Sequence, residues 1–230
     1  MNEILTNGTY FGVVVTIAAF LFGEWCKKKW KLAICNPLLI AVIVVMVLLV
    51  AVDIDYDVYY EGAKYISYLL TPATVCLAIP LYRQLSLLRQ NAPAIILGIL
   101  SGTIASMAGI LALCVLFGLS HEQYVTLLPK SITTAIGMGV SEELGGIVTI
   151  TVAVIIITGI LGNVIASAVC RVFRIEEPIA RGVAIGTAAH AIGTARALEI
   201  GPIEGAMSSL AVAVAGIFTA CTASVFAMLW

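Results

Sequence analysis

The chain has 230 residues, of which 61% are hydrophobic and 11% are charged, and its net charge at pH 7 is −1. A soluble domain of this length carries roughly twice that share of charged residues, so the composition excludes an ordinary soluble protein. No basic patch interleaved with aromatic residues appears, which argues against a nucleic-acid partner. We therefore expect a multi-pass protein whose solvent is the lipid bilayer.

Long uncharged stretches predict the transmembrane helices, because a bilayer-spanning helix needs about 20 predominantly apolar residues. A weaker candidate at 182–198 is interrupted by His190 and Arg196, and 123–141 is rich in serine, threonine and glycine around Lys130. We expect an all-α polytopic fold with six or seven crossings and broken or re-entrant helices. The uncharged stretches lie at 4–23, 32–52, 65–82, 90–120, 144–170 and 205–230.

The distribution of charge predicts the orientation of the chain. The basic run at 27–31 follows the first predicted helix, and the positive-inside rule assigns it to the cytoplasm. The acidic stretch at 53–61 then lies outside, and so does the N-terminus. The other basic residues expected on the cytoplasmic side are Arg83, Arg89, Arg171, Arg174 and Arg181.

An internal repeat is visible in two blocks. "GILSGTIAS" begins at Gly98 and "GILGNVIAS" at Gly159, with six of nine positions identical, and "YISYLLTP" and "YVTLLPK" precede them in the same order. Chance similarity between apolar segments is the alternative. Arginines precede the first block and follow the second, so the repeat would be inverted in the membrane, as in many secondary transporters.

Strict inversion requires hairpins at 69–82 and 127–143, but the acidic stretch before the first segment argues that it crosses, and both possibilities stay open. We divide the single membrane domain into four parts. These are scaffold helices at 1–60, repeat units at 61–120 and 121–175, and a C-terminal part at 176–230 with substrate-site and scaffold helices.

The stretch "PKSITT" at 129–134 predicts an anion site. Pro129 interrupts the helix, and a helix start offers free N–H groups and a partial positive charge. Lys130 adds a full positive charge, although it could instead extend to the membrane interface. The hydroxyl groups beside it belong to Ser131, Thr133 and Thr134.

The stretch "GTAAHAIGTARALEIGPIEGA" at 186–206 contains a duplicated Gly-Thr step with His190 between the copies. On a continuous helix, positions 186, 190, 193 and 197 share one face, which would form a groove of small residues around one imidazole. Small residues also serve plain helix packing, and Arg196 and Glu204 could lie in an aqueous loop. The candidate substrate-binding residues are Lys130, Ser131, Thr133, Thr134, Thr187, His190, Thr194, Arg196 and Glu204.

His190 has three possible roles. A neutral imidazole could donate a hydrogen bond to a small acid, and a protonated one could carry a co-transported proton. The third possibility is a packing histidine bonded to backbone carbonyls. The proton role predicts that His190→Gln abolishes the dependence of uptake on a pH gradient.

Catalytic and metal-binding motifs are absent from the sequence. There is no nucleophile–base pair, HExxH motif or phosphate-binding loop, so we expect a protein that is not an enzyme. The six cysteines are scattered without a CxxC pair and indicate packing in the membrane rather than zinc ligands or disulfides. We expect no cofactor and no metal site.

Five stretches carry specific motifs: "NPLLIA", "PATVCLAIPLYRQ", "LLPKSITTAIGMGVSEELGGI", "IIITGILGNV" and "ARGVAIGTAAHAIGTARALEIGPIEGAMSSLA". They cover most of the chain and resemble the LrgB/CidB family of bacterial membrane proteins. The family usually has proline after "KSVTT", where this sequence has Ala135. We therefore expect a less sharply kinked hairpin at this point.

The resemblance implies a multi-pass protein of the bacterial cytoplasmic membrane that works with a small LrgA/CidA-like membrane protein, as a homo- or hetero-oligomer. The family was first described as antiholin-like, and it includes the related plastid glycolate/glycerate carrier. Two functions follow. One is a secondary transporter of small monocarboxylates such as pyruvate, glycolate or glycerate; the other is an antiholin-like regulator of murein hydrolase export and cell lysis. The repeat and the cation candidates favour the transporter.

Overall fold

The computed structural model describes residues 10–30 and 36–230, in which the chain is helical. It divides into two compact units, Met1–Cys76 and Leu77–Trp230. The starts of the predicted stretches at 4–23 and 32–52 lie outside the described residues. The helices are α1 Phe11–Trp30, α2 Pro37–Val52, α3 Tyr56–Ser67, α4 Leu70–Cys76, α5 Ala78–Arg83, α6 Leu85–Phe117, α7 His121–Leu127, α8 Thr134–Glu143, α9 Val148–Val172, α10 Pro178–Ile200 and α11 Pro202–Ala227.

The first unit is held together by the packing of α1 against α2 and α3. Asn36 caps α2 by accepting a hydrogen bond from the backbone N–H of Leu38 at 2.8 Å. Between α1 and α3, Gly12 lies against the backbone of Gly62, and a side chain on either glycine would collide with the other helix. The helices therefore approach at backbone distance, as small residues permit in membranes.

Three helices in the described part of the chain are long and apolar enough to cross a membrane, by length and composition. They are α6, α9 and α11, with 33, 25 and 26 residues. They coincide with the uncharged stretches predicted at 90–120, 144–170 and 205–230. A shorter apolar helix is α2, Pro37–Val52.

The helices α7 and α8 form a helical hairpin, which we call hairpin 1 (residues 121–146). The hydroxyl group of Thr126 on α7 accepts a hydrogen bond from the backbone N–H of Ile147, just after α8, at 2.8 Å. Nearer the turn, a Cβ atom on Gly137 would lie 3.6 Å from the carbonyl oxygen of Pro129. Across these two contacts the residue numbers rise along α7 and fall along α8, so the two helices are antiparallel. The turn at 130–133 is therefore the tip of the hairpin.

The helix α10 is also a hairpin rather than one continuous helix. Ala189 (φ −128°, ψ 17°) and His190 (φ 41°, ψ −143°) leave the helical region, and the chain reverses there. A Cβ atom on Gly193 would lie 3.1 Å from the carbonyl oxygen of Ile185, whereas eight residues of a straight helix rise about 12 Å. We call 178–200 hairpin 2, with arm 1 at 178–188 and arm 2 at 191–200.

This reversal corrects one prediction from the sequence. Positions 186, 190, 193 and 197 do not share one face of a continuous helix, because 186 lies on arm 1 while 193 and 197 lie on arm 2. Ile185 and Ala197 instead pack in one cluster with Ala166 of α9. The small residues therefore let the two arms and their neighbours come close together.

Contacts along arm 1 give the directions of its neighbours. On α6, Cβ atoms on Gly98 and Gly102 would lie 3.5 Å from Val183 and 3.0 Å from Thr187, so α6 runs in the same direction as arm 1. On α9, Gly162 lies against Ala189 and Ala166 packs with Ile185. Residue numbers on α9 rise while those on arm 1 fall, so α9 runs in the opposite direction.

The two hairpins enter the second unit from opposite ends. Hairpin 1 has its base beside the start of α9, where Thr151 donates a hydrogen bond to the carbonyl oxygen of Thr126 at 2.9 Å. Hairpin 2 has its base beside the end of α9, where Cys170, Arg181 and Ile200 line one pocket. The tips meet between these ends, because Ser131 and Thr187 line the same small gap.

The packing of arm 1 on α11 gives a stability prediction. A Cβ atom on Gly186 would lie 2.8 Å from the Cα atom of Ser208, which is a backbone position that cannot move away. We expect Gly186→Ala to lower the free energy of unfolding by about 1–3 kcal/mol through overpacking. Gly109 on α6 is the matched control, since no described atom lies within 4 Å of its Cβ position. Thermal unfolding in detergent checks this, and equal midpoints for the two variants would contradict it.

Candidate functional site

A cavity of about 950 Å³ lies between α6 and arm 1. Its outer end is formed by Asn91 and Glu177, near the starts of the two helices. Its inner end is formed by Lys130, Ser131 and Thr187, where the hairpin tips meet. Glycine, alanine and serine form most of the wall between them, so the two helices leave room along their whole length.

The ammonium group of Lys130 lies at the inner end of the cavity and is half-buried. Its Nζ atom is 2.9 Å from the hydroxyl oxygen of Ser131 and 3.3 Å from that of Ser106. Within the described residues, no carboxylate lies within 4.0 Å of Lys130. Hydroxyl groups solvate a cation but do not neutralise it, so this charge attracts an anion into the cavity.

The hydroxyl group of Thr187 is buried at the inner end of the same cavity, without a partner among the described residues. The residue is 6% exposed, and in the described structure its Oγ1 atom forms no hydrogen bond. Helical threonines often bond the carbonyl four residues back, as Thr103 does to Ile99 at 2.8 Å. A buried hydroxyl left unpaired costs about 1–3 kcal/mol, which a ligand oxygen in the cavity would recover.

Thr187 therefore predicts opposite effects on stability and on binding. Thr187→Val removes an unpaired hydroxyl group at nearly constant volume, so we expect the unfolding midpoint to hold or rise while carboxylate binding weakens about tenfold. Thr194 is the matched control, because its hydroxyl bonds Ser208 at 2.8 Å; Thr194→Val should lower the midpoint. Both are measured by thermal unfolding with and without carboxylate. A midpoint loss as large for Thr187→Val as for Thr194→Val would contradict the prediction.

Other candidates from the sequence lie away from this cavity. Thr133 is the residue before α8 and makes no side-chain cap bond, and among the described residues neither Thr133 nor Thr134 lines the cavity. Thr194 is fully buried and also donates to the carbonyl oxygen of His190 at 3.1 Å. The roles of these residues stay predictions.

The three remaining candidates occupy three different environments. His190 is 2% exposed, and its Nε2 atom lies 3.0 Å from the carbonyl oxygen of Ile155. Arg196 pairs with Glu199 at 2.7 Å and donates to Ser167 at 3.0 Å. Glu204 is buried in the first turn of α11, where the helix dipole favours a negative charge. None of these three lines the cavity as described.

Ser106 is a cavity residue that sequence reasoning missed. It ends the first repeated block, and Ser167 ends the second. Each accepts a hydrogen bond from a basic side chain, Ser106 from Lys130 and Ser167 from Arg196. The repeat itself was the signal, because equivalent polar positions inside two apolar helices point to equivalent partners.

Comparison with models of known protein families identifies the family to which the chain belongs. The model of the LrgB-like family matches residues 16–229. The chain belongs to the LrgB-like family. This confirms the resemblance found in the sequence, and the match includes both hairpins and the whole cavity.

Named relatives match over nearly their full length. The chain is 34% identical to the holin-like protein CidB of Staphylococcus epidermidis over 230 residues, which is 100% of both chains. It is 35% identical over 218 residues to the holin-like protein CidB of Staphylococcus aureus, 95% of each chain. It is 35% identical over 222 residues to the antiholin-like protein LrgB of Bacillus mycoides, 96% of each chain. No solved structure matches the chain.

The site of this LrgB-like protein can hold one negative charge. Lys130 supplies the positive charge, and Ser106, Ser131 and Thr187 supply hydroxyl groups that donate or accept hydrogen bonds. A carboxylate has two oxygen atoms, so one could contact the ammonium group while the other accepts from a hydroxyl group. The apolar remainder of the wall offers no second charge in the described structure beyond Glu177 at the outer end.

Proposed function

We propose that the protein is a secondary transporter of small monocarboxylates in the bacterial cytoplasmic membrane. One observation carries the proposal: the ammonium group of Lys130, with no carboxylate within 4.0 Å among described residues, shares a cavity with the unpartnered hydroxyl of Thr187 at the meeting point of two hairpins. Ionisable groups at membrane depth are costly, and they mark substrate pathways. Helix packing alone requires neither group.

The arrangement of the hairpins supports a transport architecture with six or seven crossings. Discontinuous helices entering from opposite ends, with their tips near the middle, are typical of transporters with inverted repeats. The repeated blocks lie on α6 and α9, which run in opposite directions along arm 1. An inverted repeat relates the two helices in this proposal.

The orientation follows from the basic residues. The start of α6, the end of α9 and the base of hairpin 2 carry Arg89, Arg171 and Arg181, and the positive-inside rule assigns this end to the cytoplasm. The outer end of the cavity, at Asn91 and Glu177, then faces the cytoplasm. A substrate would reach Lys130 from that side in the conformation described.

The single positive charge at the inner end of the cavity supports a monoanion such as pyruvate, glycolate or glycerate. One ammonium group compensates one carboxylate, and a second negative charge would lie unpaired in apolar surroundings. We propose, from the family resemblance, that a small LrgA/CidA-like membrane protein is the partner, in a homo- or hetero-oligomer. The protein in this proposal is a carrier and not an enzyme.

A second candidate function is an antiholin-like regulator of murein hydrolase export and cell lysis. The printed names of the relatives, holin-like and antiholin-like, favour it. A regulator of this kind requires interfaces between helices and a partner pore, but no anion site.

Uptake into proteoliposomes distinguishes the two functions. The purified chain, with and without the LrgA-like protein, should accumulate labelled pyruvate or glycolate above the level of protein-free vesicles. Uptake at the protein-free level for every acid, together with altered lysis in cells that lack the gene, would refute the transporter and support the regulator.

A further inference from the structure

A second, smaller pocket of about 260 Å³ lies at the base of hairpin 2, away from the carboxylate cavity. It is formed by the end of α9, the loop that follows and the two ends of hairpin 2. Three arginine side chains line it, those of Arg171, Arg174 and Arg181. Their number in one small pocket makes it a strongly basic feature of the second unit.

The charges in this pocket are not balanced by the protein as described. None of the three guanidinium groups has a carboxylate within 4.0 Å among the described residues, and the acidic residue on the described lining is Glu176. The Nε atom of Arg181 donates to the carbonyl oxygen of Ile175 at 2.7 Å. This bond fixes the side chain and leaves its terminal N–H groups for a ligand.

The backbone holds a second arginine in place. Arg174 follows the end of α9 with φ 52°, in the left-handed region that glycine usually occupies. The N–H of Arg174 bonds the carbonyl of Arg171 at 3.2 Å, and the N–H of Ile175 bonds that of Cys170 at 2.8 Å. The turn therefore brings Arg174 back toward the last turn of α9, onto the same pocket as Arg171.

Apolar side chains are exposed around the end of α9, next to the pocket residues in sequence. Val172 and Phe173 are 75% and 71% exposed, and Val169 is 39% exposed. A free ion in water would gain nothing from such neighbours. A ligand with an anionic head and long hydrocarbon chains matches both features of this end of α9, the basic pocket and the exposed apolar side chains.

We propose that this pocket binds the phosphate headgroup of an anionic phospholipid of the cytoplasmic leaflet, with its acyl chains along α9. Arginine forks match the paired oxygens of a phosphodiester, and basic pockets between membrane helices on the cytoplasmic side suit such headgroups. The lipid joins the end of α9 to arm 1 and so stabilises the base of hairpin 2. This site shares no residue with the carboxylate cavity, and it stands whether the protein is a transporter or a regulator.

The test compares two lipids with identical acyl chains. Dioleoyl phosphatidylglycerol or dioleoyl phosphatidylcholine is added to the full chain in neutral detergent, and the unfolding midpoint and the lipid retained in native mass spectrometry are measured. At a 100-fold excess over its dissociation constant, phosphatidylglycerol should raise the midpoint by about 5–11 °C. Phosphatidylcholine should raise it by less than about 2 °C on the same scale.

Two pairs of substitutions distinguish the pocket from a general charge effect. Arg174→Gln with Arg181→Gln should abolish the shift and the retained lipid. The matched control, Arg83→Gln with Arg89→Gln, removes the same charge from helix ends outside the pocket and should preserve both. Arg171→Gln, at an exposed position, tests the site with little risk to folding and should reduce the shift.

Three results would overturn the proposal. An equal loss in the control pair would make the effect general electrostatics. An equal shift with inorganic phosphate or glycerol phosphate would make this a site for a soluble anion. If the folded protein retains no lipid in native mass spectrometry, the pocket does not bind a phospholipid headgroup. None of these readouts involves carboxylate uptake, so they do not bear on the transporter.

Discussion

Replacing Lys130 by glutamine is expected to lower carboxylate uptake about 100-fold while the protein stays folded. Glutamine keeps a hydrogen-bond donor near Ser106 and Ser131, so the hydroxyl pair retains a partner. The substitution removes the electrostatic attraction between the ammonium group and the substrate carboxylate in a largely apolar cavity. This attraction contributes about 3 kcal/mol for a desolvated charge pair. That free energy corresponds to roughly two factors of ten in affinity.

Uptake of labelled pyruvate or glycolate into proteoliposomes measures this effect, with the apparent KM and the maximal rate determined separately. Because the charge acts on binding, we expect the KM to carry most of the change. Lys28→Gln is the matched control, since the Lys28 side chain is exposed and its Nζ atom lies 3.8 Å from a carboxylate oxygen of Glu24. Surface pairs of this kind contribute less than about 1 kcal/mol. Parent-level uptake by Lys130→Gln would rule out Lys130 as the anion partner.

The long helices were predictable because hydropathy measures what a bilayer requires. The stretches at 144–170 and 205–230 correspond to α9 and α11 within a few residues. The helix α6 begins at Leu85 rather than at residue 90, because the helical backbone continues through the polar residues Arg89, Gln90 and Asn91. The extent of an uncharged stretch predicts which part of a helix lies in lipid, but it does not predict the residue at which the helix begins or ends.

The reversal in hairpin 2 was not predictable from the same signal. Residues 186–197 are compatible with a helix by composition, and the turn lies at Ala189 and His190 rather than at a glycine or proline. Local propensity therefore does not locate it. The reversal depends on close packing, since arm 1 lies on the backbone of α11 at Gly182 and Gly186, and that is a property of the assembled helices.

The candidate site was predictable where charge and hydroxyl groups are adjacent in sequence. Lys130 and Ser131 stand out in an apolar chain and lie together in the cavity. Thr133 and Thr134 have the same composition signal, but Thr133 ends the tip and Thr134 begins α8, and neither of them lines the cavity as described. Thr187 and Thr194 look alike in sequence, and only the fold shows that Thr194 has a hydrogen-bond partner while Thr187 has none in the part of the chain that is described.

His190 connects the tip of hairpin 2 to α9, and its own backbone is strained. His190 has φ 41°, a conformation that costs a residue other than glycine about 1–3 kcal/mol. Such strain persists only where the surroundings fix it. Here the ring donates from Nε2 to the carbonyl oxygen of Ile155 and packs against Gly159, so the ring holds the tip of the hairpin on α9.

This geometry makes His190→Gln a clean test of the proton role. Because the carbonyl of Ile155 can only accept, the contact requires a donor, and the amide N–H₂ of glutamine can supply one. The substitution keeps the tie to α9 and removes the imidazole, which is the group that would carry the proton in this role. We expect uptake without a pH gradient to stay within about twofold of the parent, while the acceleration by an inward proton gradient disappears.

Proteoliposomes with and without an imposed pH gradient measure the effect on uptake, and the other histidine provides the matched control. His121 is exposed at the start of α7, where Nδ1 lies 2.7 Å from the carbonyl oxygen of Trp230, and His121→Gln should keep the full gradient response. Parent-like accumulation by His190→Gln under the gradient would exclude His190 as the proton carrier. The ring would then serve only to hold the hairpin tip, and loss of uptake in His190→Ala, with its contact to Ile155 removed, would follow from the release of that tip.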